Sequence, residues 1–117
     1  YSMTKPVTST AFMMLYEQGL VHLDDPVSEF IPEFADIEVL VPDSKSIDQT
    51  EPVATPLSVH HLLTHTSGLT YGFNQDLLSE TYAANRLDFG QRAGGLAETV
   101  KRLADVPLLF QPGSRWH

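Results

Sequence analysis

The sequence predicts a mainly α-helical chain with long irregular connections, and three observations carry that prediction. Ser2 to Gln18 and Leu96 to Ala104 place apolar residues at the three-and-four spacing of one helix face. A single short stretch, Ile37-Glu38-Val39-Leu40-Val41, alternates loosely in the manner of a strand. Eight prolines and seven glycines punctuate the remainder into short pieces.

In chain order, Ser2 to Gln18 is expected to be a helix with Val7, Ala11, Met14 and Leu15 on one face, together with Thr10 and Gln18. Ser2 suits its N-cap, Pro6 sits near the first turn where a missing N–H costs little, and Gly19 suits the C′ stop. Leu23-Asp24-Asp25-Pro26-Val27 reads as a turn capping a short helix that ends near Pro32. Ile37 to Val41 is the candidate strand, and the polar stretch Asp43 to Pro52 reads as a surface loop.

Ser58 to Thr64 is expected to be a short helix capped by Ser58 and closed by Thr66-Ser67-Gly68. Leu69 to Asn74 reads as an aromatic loop, Asp76 to Asn85 as a weak helix and Gly90 to Gly95 as a flexible link. Leu96 to Ala104 is expected to be amphipathic, with Leu96, Ala97, Val100, Leu103 and Ala104 on one side. Pro107 ends it, and Leu108-Leu109-Phe110 leads into a turn at Pro112-Gly113.

Composition bounds what such a chain does. At 117 residues it holds one domain at most, and 42% hydrophobic with 19% charged residues is a globular balance. Seven Lys+Arg against fifteen Asp+Glu give a net charge of −8, which argues against binding nucleic acid or anionic lipid. No apolar run approaches the roughly 20 residues of a membrane-spanning helix. The absence of cysteine excludes disulfides, Cys-based zinc sites and thiol catalysis within these residues, without fixing a compartment. Residues 1–117 hold no basic, apolar, small-residue leader. The chain starts at Tyr1 and stops just after a turn signal, so residues 1–117 are expected to be part of a longer domain, truncated at both ends.

The segment that carries chemistry is Ser2-Met3-Thr4-Lys5. Residues three apart on a helix share a face, so this spacing brings a hydroxyl beside an amine. Serine becomes a nucleophile when a neighbouring base takes its proton. Lysine can be that base if burial or nearby positive potential lowers its proton affinity, and a helix N-terminus supplies such potential. An N–H left unpaired at a helix start can also form half of an oxyanion hole. Taken alone, the same residues are better read as an N-cap serine and a solvated lysine.

The wider sequence resembles the serine β-lactamase-related hydrolases, a superfamily that includes class C β-lactamases, family VIII carboxylesterases, D-amino-acid peptidases and related acyltransferases. Tyr1-Ser2-Met3-Thr4-Lys5-Pro6-Val7-Thr8-Ser9 resembles their nucleophile motif. Met14 to Gly19 with Leu23 to Val27 is similar to the first active-site helix and its exit turn, and Phe30-Ile31-Pro32-Glu33-Phe34 to the next piece of the family's chain. Leu62-Leu63-Thr64-His65-Thr66-Ser67-Gly68-Leu69 resembles a recurrent signature, and Phe110 to Trp116 the approach to the second motif.

The resemblance implies a β-lactamase/transpeptidase-like α/β fold of which this chain is the helical lobe, the antiparallel sheet lying outside it. It implies a serine hydrolase in which Ser2 forms an acyl-enzyme, Lys5 shares proton transfer with a tyrosine, and water or an alcohol releases the acyl group. The tyrosine and a third motif, Lys-Thr-Gly or His-x-Gly, are absent from residues 1–117, and Tyr1, Tyr16, Tyr71 and Tyr82 match no catalytic position. The 117 residues alone are therefore expected to be inactive. Carboxylic esters are the favoured substrates. A β-lactamase, a D-amino-acid peptidase and a non-catalytic binding or sensor relative remain as alternatives. No metal or organic cofactor is implied; the partner is a small-molecule ester or amide.

Tyr71 and Phe73 are candidate substrate-binding residues, because segments after the Thr-His-Thr-Ser-Gly-Leu signature line the cleft in relatives and aromatic side chains suit an apolar acyl or alcohol group. His61 and His65, four apart, lack the glutamate of a zinc-protease helix and any third ligand at a fixed spacing. His22, His60 and His117 show no arrangement in the sequence. Ser67 has no base at a fixed offset, and Asp24-Asp25 before Pro26 reads as a turn rather than an acid pair.

Overall fold

Helix α1 spans Thr4–Glu17 and faces, across a groove, a lobe built from described residues that follow it. The computed structural model describes residues 2–87 and 95–117. Within them lie helices α2 (Val59–Leu63), α3 (Ser79–Ala84) and α4 (Leu96–Ala104), and two short strands, β1 (Glu38–Leu40) and β2 (Thr50–Pro52). Three 3₁₀ turns, Val27–Glu29, Pro32–Phe34 and Gly72–Asn74, complete the order.

α1 ends as its sequence dictates. Gly19 takes φ +73°, its N–H donates to the Tyr16 carbonyl at 3.0 Å, and the Leu20 N–H returns to Leu15 at 3.1 Å. Its start differs from expectation. Met3, not Ser2, occupies the N-cap position, with helical dihedrals and no side-chain cap bond. Ser2 contributes its backbone carbonyl, which accepts from the Lys5 N–H at 3.2 Å. The expected apolar face is also not buried: Val7 is 70% and Met14 59% exposed, and α1 buries no residue. Phe12 and Met13 are its half-buried apolar side chains, so α1 meets the lobe through a different edge.

The segment after Leu23 folds as two 3₁₀ turns rather than one helix ending near Pro32. The Ile31 N–H makes an i→i−4 bond to Val27 at 2.9 Å, but Pro32 has no N–H with which to continue it. The Leu23–Val27 turn itself forms as expected: the Asp25 carboxylate accepts from the His22 N–H at 2.9 Å.

β1 lies at the centre of the lobe. On one edge it pairs antiparallel with β2 in the register Glu38↔Pro52, Val39↔Glu51, Leu40↔Thr50. The polar stretch read as a surface loop therefore ends in a strand. On the other edge Leu108 bridges Val39 in parallel, with Leu40 N–H to Leu108 O at 2.9 Å and Leu108 N–H to Glu38 O at 2.8 Å. β1 is covered on both faces. Val39 packs with Val27, Phe34, Ile37, Leu57 and Leu108, while Leu40 packs with Leu78, Tyr82 and Val106. Burial on both faces explains why the alternation in its sequence is weak.

α4 forms over the expected residues, and Leu103 touches both core clusters. Leu96 and Ala97, expected inward, are exposed; Thr99 is buried in their place, its hydroxyl donating to the Gly95 carbonyl at 3.1 Å. α3 begins later than Asp76, whose carboxylate instead closes a turn ahead of the helix by accepting from the Leu78 N–H at 3.0 Å. The expected link Gly90 to Gly95 lies outside the described residues, apart from Gly95 itself.

Gly68 joins the lobe to its last segment. It has φ +93°, and its carbonyl accepts from the Leu109 N–H at 2.7 Å. A Cβ there would lie 2.5 Å from the Phe110 carbonyl oxygen, so only glycine allows these two backbones to run together. The chain then turns at Gly113, whose N–H donates to Thr66 at 2.7 Å, and finishes with the His117 N–H on the His65 carbonyl at 2.9 Å.

Candidate active site

These three backbone ties bring the end of the chain against its beginning. Ser2, Lys5, His65, Tyr71, Phe73, Asn74, Trp116 and His117 line one open cavity of about 490 Å³. All four residues singled out by sequence, Ser2, Lys5, Tyr71 and Phe73, border it. Ser2 and Lys5 are joined through the first turn of α1, and both are exposed. The burial that would make Lys5 a base is therefore not supplied by the described residues. Lys5 also borders a larger, mostly apolar groove of about 830 Å³ between α1 and the lobe, with Phe12, Phe30, Ile31 and Leu62 among its walls.

One wall of the smaller cavity is aromatic. Tyr71 and Phe73 stack with ring centroids 4.8 Å apart and 16° between planes. Tyr71 is the N-cap of the 3₁₀ turn Gly72–Asn74 that contains Phe73, which keeps the two rings close. Trp116 approaches the His65 ring at 6.2 Å and stays 74% exposed, a large apolar surface offered to the cavity.

A polar cluster reaches the same cavity through Asn74 and His117, and the sequence did not reveal it. His117, which showed no arrangement in the sequence, places Nε2 2.9 Å from the Thr70 hydroxyl, 3.1 Å from the Asn74 amide nitrogen and 3.7 Å from an Asp76 carboxylate oxygen. The Thr70 hydroxyl donates a short hydrogen bond to the same Asp76 oxygen and accepts from the Asn74 amide at 3.3 Å. The edge of the Phe110 ring closes the back of the imidazole at 5.8 Å. His117 lies 41 to 47 positions beyond Asp76, Asn74 and Thr70, so no local spacing could have grouped it with them.

His61 has a structural role. Ser58 and His61 form a reciprocal capping box: the Ser58 Oγ accepts from the His61 N–H at 3.4 Å, and the His61 Nδ1 accepts from the Ser58 N–H at 3.1 Å. Partial burial, and secondarily the charge of His60, holds the His61 imidazole below the usual histidine pKa. Ser67 is buried and caps the Leu69 N–H, a supporting role rather than a nucleophilic one. Among the described residues no cluster of His, Asp and Glu has the geometry to hold a metal ion, and no helix is long and apolar enough to cross a membrane.

Comparison with known proteins places this arrangement. The Beta-lactamase family model matches residues 1–117, the whole chain. This chain belongs to the Beta-lactamase family. It is 40% identical over 116 residues to acyltransferase calJ of Penicillium decumbens and 38% identical over 121 residues to esterase EstB of Burkholderia gladioli. Each match covers 98% of this chain and 27% of the relative. The fold superposes on simvastatin synthase (LovD) of Aspergillus terreus with a TM-score of 0.67 at 29% identity, covering 97% of this chain and 27% of that one. The chain thus spans about a quarter of the length of these relatives, and the four helices and two-stranded sheet among its described residues correspond to part of the family's fold. Proteins named as an esterase and as an acyltransferase are thus among the relatives of this chain.

Proposed function

We propose that this chain carries the nucleophile segment of a serine hydrolase that works on carboxylic esters through an acyl-enzyme. Ser2 attacks the ester carbonyl, Lys5 takes part in moving the serine proton, and the Tyr71–Phe73 stack with Trp116 receives the apolar part of the substrate. The observation that carries this reading is the sharing of one cavity by Ser2, Lys5 and the aromatic stack, although Tyr71 lies 66 positions beyond Lys5. The names of the relatives support esters over β-lactams or peptides, and they support water and alcohols alike as the acceptor.

Residues 1–117 alone are expected to be inactive. Lys5 is exposed here, and of the tyrosines in the chain Tyr16 is on α1 and Tyr82 is buried with its hydroxyl accepting from the Thr70 N–H at 3.2 Å. Tyr71 reaches the cavity but is stacked on Phe73.

Intact-mass spectrometry of the full-length gene product, treated with a fluorophosphonate and with p-nitrophenyl esters, tests the reading. A single adduct is expected on Ser2. It disappears in Ser2→Ala, and its formation slows in Lys5→Ala by on the order of 10³-fold or more, as for other residues that act as a unit with the nucleophile. A well-folded product that forms no adduct, or forms one that survives Ser2→Ala, overturns it and favours a binding role for the cavity.

A further inference from the structure

His61 sits where two distant parts of the chain meet. Its Nδ1 faces the start of α2, accepting from the Ser58 backbone N–H at 3.1 Å with the Ser58 hydroxyl 3.2 Å away. The other edge of the ring faces the Gly113 turn. A Cβ on Gly113 would lie 3.1 Å from Nε2 and 3.5 Å from Cδ2, so the glycine backbone rests against the imidazole. The His61 carbonyl accepts from the Thr66 N–H at 2.9 Å, and the Thr66 carbonyl accepts from the Gly113 N–H at 2.7 Å. Ring and backbone of one residue thus tie α2 to the turn that leads to Trp116 and His117, which border the cavity of Ser2 and Lys5.

A backbone N–H can only donate, so its bond to Nδ1 decides the protonation state of the ring. Nδ1 keeps its lone pair, and the single proton of the neutral imidazole is on Nε2. A second proton has to enter at Nδ1. It turns that atom into a donor, sets it against the Ser58 N–H and leaves that N–H, on a buried residue, without its acceptor.

The charged and titratable neighbours do not hold a cation there. On α2 itself the His60 ring stands edge-on at 6.4 Å, and its charge disfavours a second one. The Leu23–Val27 turn packs on α2 through Val59 N–H to Asp25 O at 3.1 Å and His60 N–H to Leu23 O at 2.9 Å. It carries Asp24 and Asp25, and the Asp25 carboxylate is engaged by the His22 N–H. Next to Thr66, the His65 ring lies beside Trp116, and beyond Gly113 the Arg115 guanidinium lies over the Phe110 ring at 4.6 Å. Among the described residues no carboxylate is within ion-pair distance of His61.

We propose that His61 is a pH-sensitive latch: with its ring neutral it holds the Gly113 turn against α2, and uptake of a proton from solvent at Nδ1 swings the ring out and loosens the segment that carries Trp116 and His117 to the cavity. Burial of the ring acts in the same direction, since it keeps the neutral form over the usual range of histidine titration. The latch acts on the shape of the cavity, whether or not Ser2 forms an acyl-enzyme.

The test uses the full-length gene product, labelled with nitrogen-15, and His61→Gln, whose side-chain oxygen can still accept from the Ser58 N–H but does not titrate. In neutral solution the His61 ring, assigned by difference from the variant, is expected to carry its proton on Nε2. As pH falls, the amide resonances of Ser58 and Gly113 and the Trp116 indole are expected to shift with the midpoint of the His61 ring, below the usual 6.5. These shared shifts are expected to vanish in His61→Gln. KM for p-nitrophenyl esters is expected to rise about fivefold through the same midpoint in wild type, the worth of one hydrogen bond, and to stay within about twofold in His61→Gln.

A neutral ring with its proton on Nδ1, Gly113 and Trp116 resonances that do not follow the His61 midpoint, a wild-type KM that stays level through it, or shifts that persist in His61→Gln would each overturn the proposal. Failure of the wild-type protein to acylate instead refutes the reading of Ser2 as nucleophile, and the resonances alone then decide for or against the latch.

Discussion

Replacing Gly68 by alanine should destabilise this lobe far more than the same change at Gly19, and the structure allows the difference to be worked out. Both residues hold positive φ, +93° at Gly68 and +73° at Gly19. An L-residue there costs about 1–2 kcal/mol in backbone strain at either position. At Gly19 a new Cβ meets nothing within 4 Å. At Gly68 it would sit 2.5 Å from the Phe110 carbonyl oxygen and 3.1 Å from Leu108 Cβ. The oxygen is backbone and cannot swing aside. Relief requires the Leu108–Phe110 segment to move, which strains the 2.7 Å bond from Leu109 N–H to Gly68 O. Losing that bond and overpacking Leu108, which is fully buried, add about 2–3 kcal/mol. The expected total is about 4 kcal/mol for Gly68→Ala against about 1–2 kcal/mol for Gly19→Ala. Urea titration of the two variants of the full-length gene product, followed by fluorescence and circular dichroism, reads the difference. The same movement would displace Trp116 and His117, so ester hydrolysis should fall with stability in Gly68→Ala only. Equal midpoints for the two variants would refute the claim that close backbone approach, rather than φ alone, demands glycine at position 68.

The same geometry sets other outcomes. His61 titrates below the ordinary histidine value in the folded state, so the unfolded chain binds the extra proton first as pH falls. Its contribution to stability is therefore complete above about pH 6.5, the unfolded value, and is lost as pH drops toward the lowered folded value. His61→Gln keeps a capping-box residue at that position, so urea midpoints should match wild type at pH 8 and decline less between pH 7 and pH 5; an undiminished decline would exclude His61 as the source. Tyr71→Ala or Phe73→Ala removes one partner of the stacked pair, worth about 1 kcal/mol. KM for aromatic p-nitrophenyl esters should rise about fivefold with little change in the rate of Ser2 labelling by a small fluorophosphonate, and an unchanged KM would remove the stack from the binding surface.

Local chemistry made much of the chain legible. The Gly19 stop, the Ser58 cap of α2 and the extent of α4 all depend on residues within a turn of one another, so spacing alone predicts them. Contacts from distant parts of the chain account for the misreadings. Thr50–Pro52 is polar enough for a loop, yet it pairs with β1, and Gln111 holds it there by donating to Glu51 at 3.1 Å and to Pro52 at 3.2 Å. Periodicity marked a single stripe on α1 and on α4, but the partner surface, which periodicity does not see, decides which edge is buried. Val7, Met14 and Leu96 are exposed for that reason, while Phe12 and Thr99 are turned toward the lobe.

The site divides in the same way. A helix turn of three residues suffices to bring Ser2 near Lys5, a spacing visible in sequence, whereas Tyr71 and Phe73 were legible only as aromatic candidates on one loop and their stacking was not. That the two pairs face one cavity was decided by the tertiary structure, through Gly68, Gly113 and the His65–His117 tie, each a bond between segments distant in the chain. His117 shows the limit most clearly. As a residue type it is only an imidazole, and its polar neighbours Thr70, Asn74 and Asp76 are brought to it only by folding. Sequence determines the bonds that close within a turn or two of chain, while the bonds that close over forty residues or more wait on the packing of the core, because it alone holds those partners at hydrogen-bond distance.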